Sequence, residues 1–417
     1  MRNKTLEKRQ MIRYGGYERG RLTDLWDMTE IFELLKASLF SEAPVEMEDW
    51  EAVFTEMKNQ AVAALPGEWL KTHLDAPPWM NYCYRQQAYW IKLMHEQDQL
   101  IRLLKEHEIP CVIIKGAAAA MYYPHPTLRT MGDIDVLVKR GDLGRAAGLL
   151  EGSGYSLTCD KAEARYHYNY SKHNISIELH KRLPVIDDES EELLSLFEDG
   201  IDRREWRAAE SFCFPVLPVC LNGLVLIFHM NQHLRDGLGL RQIVDWMMYV
   251  DSLLPIEWEE LRILLKQTGM ERFALTSTVM CQKYLGLRQI VEECEDCPTD
   301  ALMDYLLEQG NFGRKVGVDG RIASFSLATS GSGGFFRELQ KRGLNNWKAA
   351  KKYKGLRPFA WIYQSFRMLG KINKNKIGAK KIWKQYAKGR EQKELLEALG
   401  LNADWSVVYE NDKHNPF

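Results

Sequence analysis

"TLRTMGDIDVLVKRG", residues 127–141, begins as a polar turn and ends as a run of core-type residues. Asp133 and Asp135 are separated by Ile134 and lead directly into Val136, Leu137 and Val138. In a strand alternate residues share a face, so the two carboxylates project together while Ile134, Val136 and Val138 point the other way. Carboxylates held side by side repel each other unless something positive lies between them. A divalent cation resolves that conflict, and Mg²⁺ suits a hard-oxygen donor set.

The flanking sequence extends this reading. Upstream, "VIIKGAAAAMYY" (112–123) reads as a strand that passes through Lys115-Gly116 straight into a helix. A glycine at such a corner lets the backbone approach a phosphate, and a helix start offers unpaired N–H groups and the positive end of a dipole. Arg129, four residues before Asp133, is placed to reach a triphosphate oxygen, and Gly132 supplies the turn into the strand. Downstream, "ISIELHKRL" (175–183) alternates Ile175, Ile177 and Leu179 with Ser176, Glu178 and His180. Glu178 is therefore the expected third acid, with His180 beside it on the same face.

Organisation along the chain follows from periodicity. Residues 1–108 read as an N-terminal helical region, with helical apolar spacing in "LTDLWDMTEIFELLKASLF" (22–40) and from Tyr82 to His107. Residues 109–185 alternate short β-rich runs with helices, including a helix N-capped by Asp142 and a hairpin turning at His173-Asn174. Residues 186–327 return to helical patterning. Residues 328–417 open with the glycine-rich "ATSGSGG" (328–334) and continue as a basic helical tail. The fold class is thus α+β, a small mixed β-sheet flanked by N- and C-terminal helical regions.

Composition bounds the setting. With 45% hydrophobic and 27% charged residues the chain reads as an ordinary globular protein. No secretory-type apolar segment follows the N-terminal "MRNKTLEKRQ", and no run of about 18 apolar residues occurs. Its eight cysteines are scattered apart from Cys294-Glu-Asp-Cys297, which lacks a second ligand pair for zinc. A cytoplasmic protein with reduced thiols is expected.

The run "IKGAAAAMYYPHPTLRTMGDIDVLV" (114–138) resembles the nucleotidyltransferase superfamily of DNA polymerase β-like proteins. It is most similar to its bacterial branch of uncharacterised nucleotidyltransferases, whose pattern reads KG followed by RxxGDxD. The likeness covers about residues 85–250. Where the wider superfamily has a Gly-Ser pair, this chain has Gly116-Ala117, with Lys115 preceding. The resemblance implies a nucleotidyltransferase core at 109–185. It also implies transfer of a nucleoside monophosphate from an NTP, with ATP the expected donor, to an acceptor hydroxyl. Asp133, Asp135 and Glu178 would be the catalytic, metal-holding acids, serving one or two Mg²⁺ ions with Mn²⁺ as a substitute. Lys115, Gly116, Arg129 and Gly132 would meet the nucleotide. A D-x-D glycosyltransferase and a non-catalytic nucleotide- or nucleic-acid-binding module are the alternatives.

Further along, "LIFHMNQHLRDGLGLRQIVDW" (226–246) is similar to a helical segment of that branch, and it brings His229, His233, Arg241 and Asp245. His229 and His233 share a helical face and read as cleft-lining or core residues. Arg241 and Asp245, also four apart, read as an intrahelical pair or as part of the cleft. Finally, residues 337–390 hold 17 lysines and arginines against one acid, interleaved with aromatics. That pattern fits a polyanion, an anionic membrane surface or a solvated helical face.

Overall fold

The computed structural model describes residues 24–401 except 42, 163, 165, 187–189, 235–236, 290–295, 312–338, 341–342, 345 and 375–389. The glycine-rich stretch 328–334 and much of the basic tail therefore lie outside the described residues.

Seven strands form one mixed sheet: β1 (Cys111–Ile114), β2 (Asp133–Val138), β3 (Ser156–Leu157), β4 (His167–Lys172), β5 (Ile175–His180), β6 (Glu205–Ala209) and β7 (Phe212–Val216). Their order across the sheet is β3-β4-β5-β2-β1-β7-β6. The central β2 runs antiparallel to β1 and parallel to β5, with Asp135 opposite Ile114 on one side and Glu178 on the other. The β4–β5 turn is a two-residue one in which His173 and Asn174 have φ of 51° and 62°. Paired left-handed residues match the twist of tight hairpins, and this turn sets the pairing of Asn169 with Glu178 and His167 with His180.

Helices enclose the sheet on both faces. In chain order they begin with α1 (Asp24–Lys36), α2 (Trp50–Asn59), α3 (Gly67–His73), the long α4 (Pro77–Glu106), the short α5 (Gly116–Ala120), α6 (Leu143–Gly152) and α7 (Glu191–Asp202). They continue as α8 (Val219–His233), α9 (Leu240–Asp251), α10 (Pro255–Gln267), α11 (Glu271–Leu285), α12 (Thr299–Gln309), α13 (Lys348–Lys352) and α14 (Ala360–Lys374). Alternation along the strands divides the interior. Ile134, Val136, Val138, Ile177 and Leu179 pack with Ile113, α6 and the second half of α4. Val112, Ile114 and Leu137 face the other way, into a larger core built from α1 to α3 and from α7 onwards. The polar ends of β2 and β5 lie on this second face.

Several expectations change. The stretch from 190 onwards is not wholly helical, because β6 and β7 form a hairpin that joins the sheet through β1. Asp142 stands at the N-cap of α6 without a capping side-chain bond; its carboxylate pairs with Arg145 instead. Cys297 is disulfide-bonded, against the expectation of reduced thiols throughout. Beyond the basic segment, Leu395, Leu396, Leu399 and Leu401 belong to the larger core. No helix among the described residues is long and apolar enough to cross a membrane.

Candidate active site

Strand register brings the predicted acids together. Asp135 and Glu178 stand directly beside each other on parallel neighbours, and Asp133 shares their face one step towards the start of β2. His180 is completely buried between them, its Nε2 3.0 Å from Asp135 Oδ1 and 3.1 Å from Glu178 Oε2. From the end of β1, Lys115 extends Nζ to 2.7 Å from Asp135 Oδ1 and 3.9 Å from Glu178 Oε2. An ammonium thus takes a place beside the carboxylates that a cation would suit. Lys115 reaches it from a left-handed backbone, φ 54°, an uncommon conformation for a residue with a Cβ.

Charge is unevenly satisfied across this corner. Burial would raise the Asp135 carboxyl, but Lys115 and the His180 hydrogen bond outweigh it and hold it below its ordinary value. Glu178 is likewise depressed, against its burial, by His180 and Lys115. For Asp133 the nearby Lys115 and Arg241 do not outweigh the opposing causes. Burial first, then repulsion from Asp135 and Glu178, pushes it up to about 7. Three carboxylates therefore meet one lysine and His180, whose imidazole is held above its ordinary value, against burial and Lys115, by its hydrogen bonds to Asp135 and Glu178. The donor set is hard oxygen from neighbouring strands and carries more negative charge than Lys115 offsets, which fits a divalent cation.

A family model described as an uncharacterised nucleotidyltransferase matches residues 46–286, more than half of the chain. The chain belongs to this family. The matched range spans the whole sheet and every residue of the corner described above. No curated protein matches the chain.

Within this nucleotidyltransferase-family fold the nucleotide-facing residues expected from sequence separate. Arg129 does not face the acids. Its Nε donates to Asp245 Oδ1 at 3.0 Å and its Nη2 to Asp245 Oδ2 at 2.6 Å, and the Tyr123 hydroxyl adds a third bond to Asp245 at 2.6 Å. Asp245 is thereby hydrogen-bonded to Arg129, and its charge also acts on Arg241. Arg241 is half-buried, donates to the Thr130 carbonyl at 3.5 Å, and feels Asp245 and then Asp133. Burial and then the neighbouring Arg129 lower its guanidinium to about 10. Gly116 is buried, and a Cβ there would meet Met131 Cε at 3.3 Å and the Asp133 carbonyl at 3.6 Å. The positive-φ turn falls one residue earlier, at Lys115. Gly132 is exposed, with open space where a Cβ would go, and its carbonyl accepts from the Tyr89 hydroxyl.

The two helical histidines pair with each other, His233 Nε2 to His229 Nε2 at 2.9 Å. Burial, followed by Lys115 and Arg241, lowers His233 to about 3. Burial and His233 likewise push His229 well below its ordinary value. One residue was missed by the sequence reading. His167 on β4 brings Nε2 within 3.7 Å of Glu178 Oε1, with its ring 4.7 Å from that of His180. The turn at His173-Asn174 contained the signal, because a two-residue turn there forces His167 opposite His180.

Proposed function

We propose that the protein is a Mg²⁺-dependent nucleotidyltransferase that moves a nucleoside monophosphate from an NTP, with ATP the expected donor, to an acceptor hydroxyl. The observation that carries this reading is the excess of carboxylate over cation where Asp133, Asp135 and Glu178 converge on one sheet face. These three acids would hold the metal. When bound, it neutralises the triphosphate and lowers the pKa of the attacking hydroxyl. The acceptor oxygen bonds to the α-phosphorus, the bond to the α–β bridging oxygen breaks, pyrophosphate leaves, and the acceptor proton passes to solvent. Lys115 holds Asp135 in place and stays beside the acids as a fixed positive charge. Arg241 takes the phosphate-facing role first expected of Arg129, whose guanidinium is engaged by Asp245.

The tail supports a polyanionic acceptor. Lys352, Lys354 and Arg357 are exposed beside Tyr353 and Phe359, which are 56% and 54% exposed. Cations interleaved with stacking surfaces suit a phosphate backbone with accessible bases.

Label transfer from [α-³²P]ATP in Mg²⁺ to sugar, RNA-end and protein hydroxyls tests the reaction. Asp135→Asn should lower transfer at least ~100-fold, about 3 kcal/mol of barrier, with an unchanged circular dichroism spectrum. Full activity in that variant would remove Asp135 from the chemistry. A second reading is favoured by Lys115 standing in the cation's place: a module that binds nucleotide without turning it over. Calorimetric ATP binding that ignores Mg²⁺, with no pyrophosphate released, would select it.

A further inference from the structure

On the far side of Glu178 the donor chemistry changes from oxygen to nitrogen. Glu178 Oε2 faces His180 and Lys115, while Oε1 faces His167. One ligand atom from each of His167, Glu178 and His180 lies within 4.8 Å of the other two. Bonds of about 2.1 Å to a tetrahedral ion imply ligand spacings of about 3.4 Å. The 3.1 Å from His180 Nε2 to Glu178 Oε2 and the 3.7 Å from His167 Nε2 to Glu178 Oε1 lie on either side of that value, each to a different carboxylate oxygen. With one ligand atom of each residue already within 4.8 Å of the others, closing the set requires the Glu178 carboxylate to turn one oxygen towards both rings.

The setting favours an ion as well. His180 is completely buried, and His167 and Glu178 are part-buried. Among the described residues no hydrogen-bond partner meets Nδ1 of His167 or of His180. The only polar end either ring presents to a partner is thus the one aimed at the acids. All three residues sit on the paired strands β4 and β5, whose register is set by the tight turn at His173-Asn174. Strand-borne ligands of this kind are held more precisely than loop-borne ones.

We infer that His167, Glu178 and His180 form a cation position of their own, for a first-row transition dication of the Zn²⁺ class. It leaves one coordination place open beside the all-oxygen corner of Asp133 and Asp135. Two imidazoles and one carboxylate discriminate against Mg²⁺, which demands oxygen and gives up its waters reluctantly. Three protein ligands with an open fourth place are the pattern of reactive rather than purely structural zinc sites. Glu178 is then shared, one oxygen for each position, so the two positions differ in metal preference. This deepens the transferase reading and rests on it only for the idea that the two positions act together.

The test is Co²⁺ binding to the full-length chain, read by its visible ligand-field absorption, with Zn²⁺ as the competitor. One equivalent of Co²⁺ should give tetrahedral-type bands that Zn²⁺ abolishes and that millimolar Mg²⁺ leaves in place. His167→Gln, at a part-exposed residue, should weaken Co²⁺ binding at least 10-fold with an unchanged circular dichroism spectrum, and His180→Asn should do the same if it folds. Co²⁺ affinity unaltered by His167→Gln, or bands displaced by Mg²⁺, overturns the inference. The transferase reading fails separately: Co²⁺ bands sensitive to His167 but no Mg²⁺-dependent nucleotidyl transfer leave this site standing. Mg²⁺-dependent transfer combined with Co²⁺ binding indifferent to His167→Gln removes the site and keeps the transferase.

Discussion

Arg129 with Asp245, and Lys115 with Asp135, are both buried ion pairs within the region the family model matches, yet they are built on opposite principles. In the first, one guanidinium meets one carboxylate through two parallel bonds, and Tyr123 satisfies a further lone pair. Both oxygens of Asp245 are thus engaged by neighbouring donors within the fold. In the second, one ammonium is shared by a cluster of three acids, and Asp133 stays raised although Lys115 and Arg241 act on it. A fold keeps the first kind of cluster for its own stability. The second kind leaves stability unclaimed, and an incoming cation can recover it.

The contrast breaks most readily at Arg129. Removing one member of a buried pair strands the other charge, at a cost of ~3–5 kcal/mol. Arg129→Ala should therefore lower the unfolding free energy measured by urea titration by that much, through Asp245, whatever happens to activity. A loss below about 1 kcal/mol would mean that Asp245 finds other partners and that the brace is not structural.

Asp133 should move the other way. Asp133→Asn removes a carboxylate repelled by two neighbours, so the metal-free protein should gain about 1–2 kcal/mol of stability. The same variant should lose nucleotidyl transfer. Opposite signs for stability and activity are the mark of a site held under electrostatic stress for function. If Asp133→Asn destabilises the metal-free protein, the corner is balanced after all and the contrast with Arg129 disappears.

What could be read from sequence follows the range over which each signal acts. Asp133, Asp135, Glu178 and His180 were legible because period-two alternation is local, and a single strand reveals its polar face. Their convergence then needed only β2 beside β5. The partner of Arg129 was not legible. Asp245 lies 116 residues away and seemed already accounted for by Arg241, four positions earlier on the same helix. Helical spacing offered a local answer, and a tertiary contact with Arg129 is added to it. The β6–β7 hairpin was hidden for another reason. Trp206, Arg207 and Ala208 are exposed on an edge strand, and Pro215 interrupts its partner, so neither run shows clean alternation. Gly116 was expected at a phosphate corner; in the structure it is buried at the start of α5, where a Cβ would come within 3.3 Å of Met131 Cε.

The smallest effect concerns the paired histidines, which sharpen the contrast because they respond to pH without belonging to either ion pair. An N–H···N bond between His229 and His233 requires one bare nitrogen, so protonating both rings would set two donors face to face. Both are held neutral when folded, His233 at about 3, while an unfolded histidine titrates near its ordinary 6.5. Below that value the unfolded chain takes up protons that the folded chain refuses, so stability falls as pH drops. The fall continues towards the folded value, at up to ~1.4 kcal/mol per pH unit for each group and less for the part that solvent reaches. Urea midpoints measured from pH 7 to 5 should decline more steeply in the wild-type protein than in His233→Gln, which removes one titrating ring. Identical slopes would show that these imidazoles are charged in the folded state, and that the helical wall beside the acids carries positive charge of its own.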